Sequence, residues 1–326
     1  MSILIIGATG YIGSALTSEL RRHDIEVLSA SRSPVTDHAH HRQVDIMDLD
    51  SLSKAMRDIE VVINCVSGDA LAISDGARNL VEAAIRSGVK KIVHMSSMAV
   101  YGFGNPCMDE HTQLNGGGNW YAEAKVRAES EIALFAQHGE VIIFRVGCVA
   151  GRGSMQWVQR IGDLLVARRI GDLGGLGDGW SNLVALDDVC QAVVQSVYRP
   201  ESPEPLNIFN LAAPNSPRWN RYFVDFSQLI GAFPPHRISA TNLKIETHLK
   251  APVLVAYGKI RRAATFLPAW NEPAIPPSLT KLFRCAGKLD TSHIDKNFSI
   301  NWTTYENMVR EGASWYFDNK HGSSTA

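Results

Sequence analysis

Ile3-Leu4-Ile5-Ile6-Gly7-Ala8-Thr9-Gly10-Tyr11-Ile12-Gly13 places three glycines within seven residues, after a short apolar run and before an amphipathic pattern that continues to Leu20. Removing side chains where a strand turns into a helix lets backbone N–H groups approach a bulky anion, with the positive end of the helix dipole facing its charge. Gly7, Gly10 and Gly13 match G-x-x-G-x-x-G, and Thr9, Tyr11 and Ile12 lie on the same loop. Strand-end glycines also make ordinary tight turns, so the reading draws its weight from what surrounds the loop.

Outward from this loop, short apolar runs alternate with helical patterns for about 150 residues, the rhythm of a parallel sheet covered by helices. The expected strands are Ile3 to Ile6, Glu26 to Ala30, Val61 to Asn64, Lys91 to Met95 and Val141 to Arg145. Helices are expected over Asp75 to Arg86, with Asp75 as N-cap, and over Trp120 to Gln137. The fold class is α/β: a Rossmann-type doubly wound parallel sheet with a smaller, interleaved substrate-binding domain. Residues 1–150 and 183–212 are assigned to the first unit, and 151–182 and 213–326 to the second. After Gly151 come the glycine-rich loop Gly171 to Trp180, the segment VALDDVCQAVVQSVY, a strand-like LNIFNLA and a tail of weaker periodicity.

Thirty-two lysines and arginines nearly cancel 33 aspartates and glutamates, without a long block of one sign, so nucleic acid is not an expected partner and a small molecule is. Five scattered cysteines without a C-x-x-C pair, Cys65, Cys107, Cys148, Cys190 and Cys285, argue for free thiols in a reducing compartment and against zinc. Strand-like residues begin at Ile3 without a leader pattern, and no apolar run reaches the roughly 18 residues of a membrane span, so a cytoplasmic protein is expected.

Two further stretches accompany the glycines: MSSMAVYG from Met95 to Gly102, and Tyr121-Ala-Glu-Ala-Lys125 at a helix start. With FRVGCVAG, the LDDV segment and NWTTYENMVREGASWY, they give the chain an ordered set that resembles the extended short-chain dehydrogenase/reductases over nearly its whole length. The resemblance implies an NAD(P)-dependent oxidoreductase, commonly a homodimer. It assigns Ser97, Tyr121 and Lys125 to catalysis, with Tyr121 and Lys125 also touching the cofactor. An unperturbed phenol, with a pKa near 10, is a weak base at neutral pH, and a lysine one helical turn away favours its anion. Glu129, a turn beyond Lys125, is expected on a solvated helix face, with pairing to Lys125 as the alternative.

The end of the second strand bears on the cofactor. It reads LSASRSP, with Ser31 and Arg32 where NAD enzymes usually carry a carboxylate, and no acid before Asp37. This favours the 2′-phosphate of NADP over NAD, although Arg32 also fits an ordinary loop. Asp45 and Ile46 resemble the adenine-contacting pair of the family, Cys65, Val66 and Ser67 pass beside the adenine-side ribose, and Val146 and Cys148 are placed among the cofactor contacts. Asp48 and Asp50 lack the spacing of a calcium loop, and one of them is expected to cap a helix; no metal site is assigned.

Departures from the family narrow the chemistry. Met98 and Ala99 stand where sugar-nucleotide dehydratases carry acids, and Cys148 stands where many nucleotide-sugar enzymes place an asparagine against the diphosphate. The leading expectation is therefore an NADP-dependent reductase or dehydrogenase of a carbonyl/alcohol pair in a small organic substrate. The alternatives are an NAD-dependent nucleotide-sugar 4-epimerase and a non-catalytic cofactor sensor. Met98, Trp120, Cys148 and Trp180 are the expected substrate contacts. The stretch APVLVAYGKIRRAATFLPAW, with Lys259, Arg261 and Arg262, stays open as a lid, a dimer surface or a contact for an anionic or lipid-like substrate.

Overall fold

The computed structural model describes residues 1–23, 26–33, 40–200, 202–263 and 274–322. Its strands are β1 (Ser2–Ile6), β2 (Glu26–Ser31), β3 (His41–Gln43), β4 (Val61–Asn64), β5 (Lys91–Ser97), β6 (Cys107–Met108), β7 (Glu140–Val146), β8 (Cys148–Ala150), β9 (Leu183–Ala185), β10 (Leu206–Leu211) and β11 (Lys288–Leu289). Seven of them form one sheet in the order β10-β7-β5-β4-β1-β2-β3, every neighbouring pair parallel. Strands buried on both faces read as unbroken apolar runs, which is why Ile3 to Ile6 stood out in the sequence.

Alternate side chains of each strand feed opposite layers. Leu4, Ile6, Val62 and Ile92 pack with Leu80 and Ala84 of α3 (Ala70–Ser87) and Ala128 and Ile132 of α4 (Trp120–Ala133). Ile3, Ile5, Ile63 and Val93 pack with Leu16 and Leu20 of the helix Tyr11–Arg21, and with Val189 and Val193 of the helix Leu186–Tyr198. A third, aromatic core gathers Trp219, Tyr222, Phe223 and Phe226 of the helix Trp219–Leu229 against Ile161, Leu164, Phe283 and Tyr316. It lies beside two short parallel pairs, β8 with β9 and β11 with β6.

Strand order reverses between β1 and β4, and in such sheets the crevice at the strands' carboxyl ends is the binding edge. Gly7 and Cys65 lead out of β1 and β4 at that edge.

Two helix expectations are corrected. The helix expected from Asp75 starts at Ala70, capped by Asp69, whose extended backbone lets its Oδ1 accept the Ala72 N–H at 2.9 Å. Asp75 lies inside that helix. The helix expected to run to Gln137 is α-helical only to Ala133 and tightens to a 3₁₀ turn over Leu134–Gln137. The short polar β3 had no counterpart in the expectation, whereas the helix Leu49–Ala55 begins where a cap was expected: Asp48, one of the two candidates, accepts from Asp50 N and Ser51 N.

Candidate active site

The glycines are steric necessities. Gly7 has φ +83°, and a Cβ there would stand 2.9 Å from the Cys65 carbonyl. A Cβ on Gly13 would stand 2.3 Å from the Gly7 carbonyl oxygen, so helix and loop close together only without one. Gly10 is the N-cap of the helix Tyr11–Arg21, no side chain caps it, and its first turn carries no acid. Uncapped N–H groups, a bare backbone cradle and no competing carboxylate fit a pyrophosphate. Tyr11 closes one side through a bond from its hydroxyl to the Arg152 carbonyl at 3.1 Å.

At the other end of the crevice, Asn119 caps α4 by accepting from the Tyr121 N–H at 3.0 Å, which fixes where the catalytic candidates enter the helix. Ser97 closes β5, and its Oγ accepts from the Ala99 N–H at 3.2 Å. Burial raises the pKa of the Tyr121 phenol, and the Ser97 hydroxyl facing it lowers it in part. Lys125 is buried, and the loss of solvent brings its pKa down to about 8. Its Nζ donates to the Met95 carbonyl at 2.7 Å and the Val66 carbonyl at 3.3 Å. An ammonium has three donors, so one remains to turn toward the crevice. Lys125 thus ties the ends of β4 and β5 to α4. Buried His94 next to it is held neutral by burial and by Lys125, while Asn64 meets its Nδ1 at 3.1 Å.

Glu129 is not on a solvated face, which corrects the sequence reading. It is buried, and both carboxylate oxygens take the guanidinium of Arg145, at 3.2 Å and 2.8 Å, while Ser96 donates to it from β5. Arg145 continues to the Tyr101 hydroxyl and the Glu110 carbonyl, both at 2.9 Å, and Tyr101 donates to Asn210 at 2.6 Å. Asn210 in turn donates to the Met108 and Asp290 carbonyls. The sequence held one signal of this network: a lone arginine inside the apolar strand Glu140–Val146, which burial obliges to find a carboxylate.

The remaining candidates divide. Ser31 is buried and its hydroxyl donates to the Ser33 carbonyl, while Arg32 is exposed at the loop start; Asp37 lies outside the described residues. Asp45 is exposed and its carboxylate accepts the Met47 N–H; Ile46 is buried and packs over Gly76. Val66 takes its N–H to the Asn64 side chain, and Ser67 follows at the same edge. Val146 ends β7 inside the sheet core. Cys148 is buried and burial pushes its thiol well up, so it stays protonated and is no nucleophile. Trp120 is exposed, its ring edge-on to Tyr121 at 5.8 Å. Met98 is packed between two cores. Trp180 lies under two cations, Arg218 at 4.6 Å and Lys288 at 4.9 Å from the ring centre. Asn182, absent from the sequence reading, joins this segment to residues 287–289 through the Gly287 carbonyl and the Leu289 N–H.

Known proteins resemble this chain in sequence and fold. Residues 3–212 match the profile of the NAD dependent epimerase/dehydratase family. A 3-diazoavenalumate denitrifying reductase from a Streptomyces species is 26% identical over 74% of this chain and 85% of its own length. A UDP-glucose 4-epimerase from Vibrio cholerae is 25% identical over 62% of this chain and 68% of its own length, and other 4-epimerases match over less than half of theirs. The solved structure of MoeE5 in complex with UDP-glucose and NAD shares the fold at a TM-score of 0.72, covering 98% of this chain and all of that one, at 18% identity. With the glycine cradle and the parallel sheet in place, the chain belongs to the NAD-dependent epimerase/dehydratase family, NAD(P)-dependent enzymes of the extended short-chain dehydrogenase/reductase type.

Proposed function

We propose that the chain is a 4-epimerase of a nucleotide-linked sugar, working by reversible oxidation of one secondary carbinol. The observation that carries this reading is the Ser97 hydroxyl facing the Tyr121 phenol, with Lys125 one helical turn on, at the sheet edge that holds the glycine cradle, and no carboxylate following Ser97. Epimerisation through a ketone needs one proton shuttle and no second acid, and Met98 and Ala99 supply none. The V. cholerae relative and the sugar-nucleotide complex of the structural neighbour support this substrate class.

A bound nicotinamide supplies the hydride acceptor and donor. Gly7, Thr9, Gly10, Tyr11, Ile12 and Gly13 would hold the pyrophosphate, with Ser31, Arg32, Asp45, Ile46, Cys65, Val66 and Ser67 on the adenosine side and Val146 and Cys148 toward the reacting end. Tyr121 would take the carbinol proton and return it, Ser97 would anchor the oxygen, and Lys125 would favour the phenolate and offer its spare donor to the cofactor ribose. Met98, Trp120, Cys148 and Trp180 would line the substrate half, residues 151–182 and 213–326, against a cofactor half of 1–150 and 183–212. A homodimer in the cytoplasm belongs to the same reading.

A second reading, an NADP-dependent reductase, is favoured by exposed Arg32 at the end of β2 and by the buried Cys148 thiol, a poor donor to a diphosphate. One experiment separates the two. Nucleotide is released from freshly purified protein by acid and identified, and UDP-glucose is then offered while reduced nicotinamide absorbance is followed. Stoichiometric NAD and interconversion with UDP-galactose, without net change in absorbance, is the expected result. Nucleotide-free protein that consumes one NADPH per keto substrate would replace the epimerase by the reductase. Arg32→Asp then weakens NADPH binding by about 1.5 to 3 kcal/mol.

A further inference from the structure

The helical stretch from Ala240 to Ala263, with a π turn over Glu246–Lys250, lacks the polar outer face usual of a surface helix. Leu243, Thr247 and Ala251 are buried and face the protein. Yet the opposite side is also apolar. Ile245, Leu249, Val253, Ala256 and Ile260, three or four residues apart, form one outward stripe, and Leu249, Val253 and Ile260 are 65%, 56% and 57% exposed. An exposed apolar row over roughly 22 Å of helix is not the scatter of single surface hydrophobes that every protein carries.

Charge decides what covers it. Lys244, Lys250 and Arg261 are exposed and stand one residue from Ile245, Leu249 and Ile260, about 100° around the helix and so at the margins of the stripe. The stretch holds five lysines and arginines against one acid, Glu246, and that acid already accepts from Arg169 and Lys250 at 2.6 Å each. An apolar stripe edged by cations is the pattern of a helix lying in a lipid headgroup layer. A second copy of the chain fits poorly, because a twofold contact brings the same patch against itself and sets cation against cation. No helix among the described residues is long and apolar enough to cross a membrane, so contact on this face is peripheral.

We propose that the outward face of residues 240–263 docks on an anionic phospholipid surface, with Ile245, Leu249, Val253 and Ile260 entering the acyl boundary and Lys244, Lys250 and Arg261 meeting the headgroups. The docking is independent of the substrate reading above. Its test is flotation of the full chain with vesicles of phosphatidylglycerol and phosphatidylcholine, with vesicles of phosphatidylcholine alone as control. The protein floats with the anionic vesicles at low salt, stays behind with the neutral ones, and is released as salt rises. Leu249→Glu with Val253→Glu, and separately Lys244→Glu with Arg261→Glu, reduce vesicle binding by roughly tenfold or more. All four positions are exposed, so the melting temperature stays at the parent value. The proposal is overturned by equal flotation with both vesicles, by no flotation, or by variants that bind like the parent. It is also overturned if the parent instead forms a dimer, or an acidic-protein complex, that the Leu249→Glu, Val253→Glu variant splits.

Discussion

Burial favours the protonated phenol of Tyr121 by raising its pKa, whereas Lys125, one helical turn on, gives up its charge readily for the same reason. Tyr121→Phe keeps the ring and deletes the oxygen, so turnover should fall by at least about 10² while cofactor affinity stays near that of the parent. Steady-state rates and a cofactor titration check both halves; near-normal turnover sinks the acid/base role. Lys125 loses its proton at about 8 in the fold and near 10.5 when unfolded. Between those values the unfolded chain holds more protons, so this group makes stability increase with pH across that window. Lys125→Met removes the increment. Urea unfolding of both proteins should show the stability difference, parent minus variant, growing by on the order of 3 kcal/mol from pH 8 to 10.5. A flat difference would mean that Lys125 is not desolvated as described. That Tyr121 and Lys125 share one helix face was legible because their spacing is local; the fate of Glu129 was not, since its partner Arg145 arrives from β7.

Among the elements, the turn from β1 into its helix carries the tightest constraint. Gly13→Ala places a methyl 2.3 Å from the Gly7 carbonyl oxygen, and backbone cannot yield as a flexible side chain does. The variant should lose about 1 to 3 kcal/mol of stability, and its cofactor affinity should drop at least tenfold, as the cradle opens. Thermal unfolding and a binding titration read the two effects; a variant unchanged in both would show that the loop does not close on the anion. Strands buried on both faces were readable as apolar runs, while β3, with the sequence His41-Arg42-Gln43, carries no such run and is held by pairing with β2 and by the Arg42 bond to the Ala55 carbonyl. Helix starts depend on which acid sits in extended backbone, so Asp69 and not Asp75 caps α3.

Across the whole molecule, Asn210 is the joint between the large sheet and the β6–β11 pair. Its Nδ2 donates to the Met108 and Asp290 carbonyls at 2.9 and 3.1 Å, and its Oδ1 takes the Tyr101 hydroxyl. Asn210→Ala leaves these groups buried without that partner, at a cost of about 2 kcal/mol. Hydrogen exchange should quicken over residues 107–110 and 288–290 and stay at parent rates in β1, β4 and β5; unaltered exchange near Met108 and Asp290 would remove the joint. The sequence by itself determined the parallel sheet and the glycine-rich turn, because the first rests on period and the second on missing side chains. Only the tertiary structure decided that Arg145 neutralises Glu129, that Asn182 and Asn210 tie distant segments, and that the stripe from Ile245 to Ile260 faces outward. Those facts depend on which residues meet across more than 15 positions of chain, or on which side of a helix the protein lies, and no local spacing carries that information.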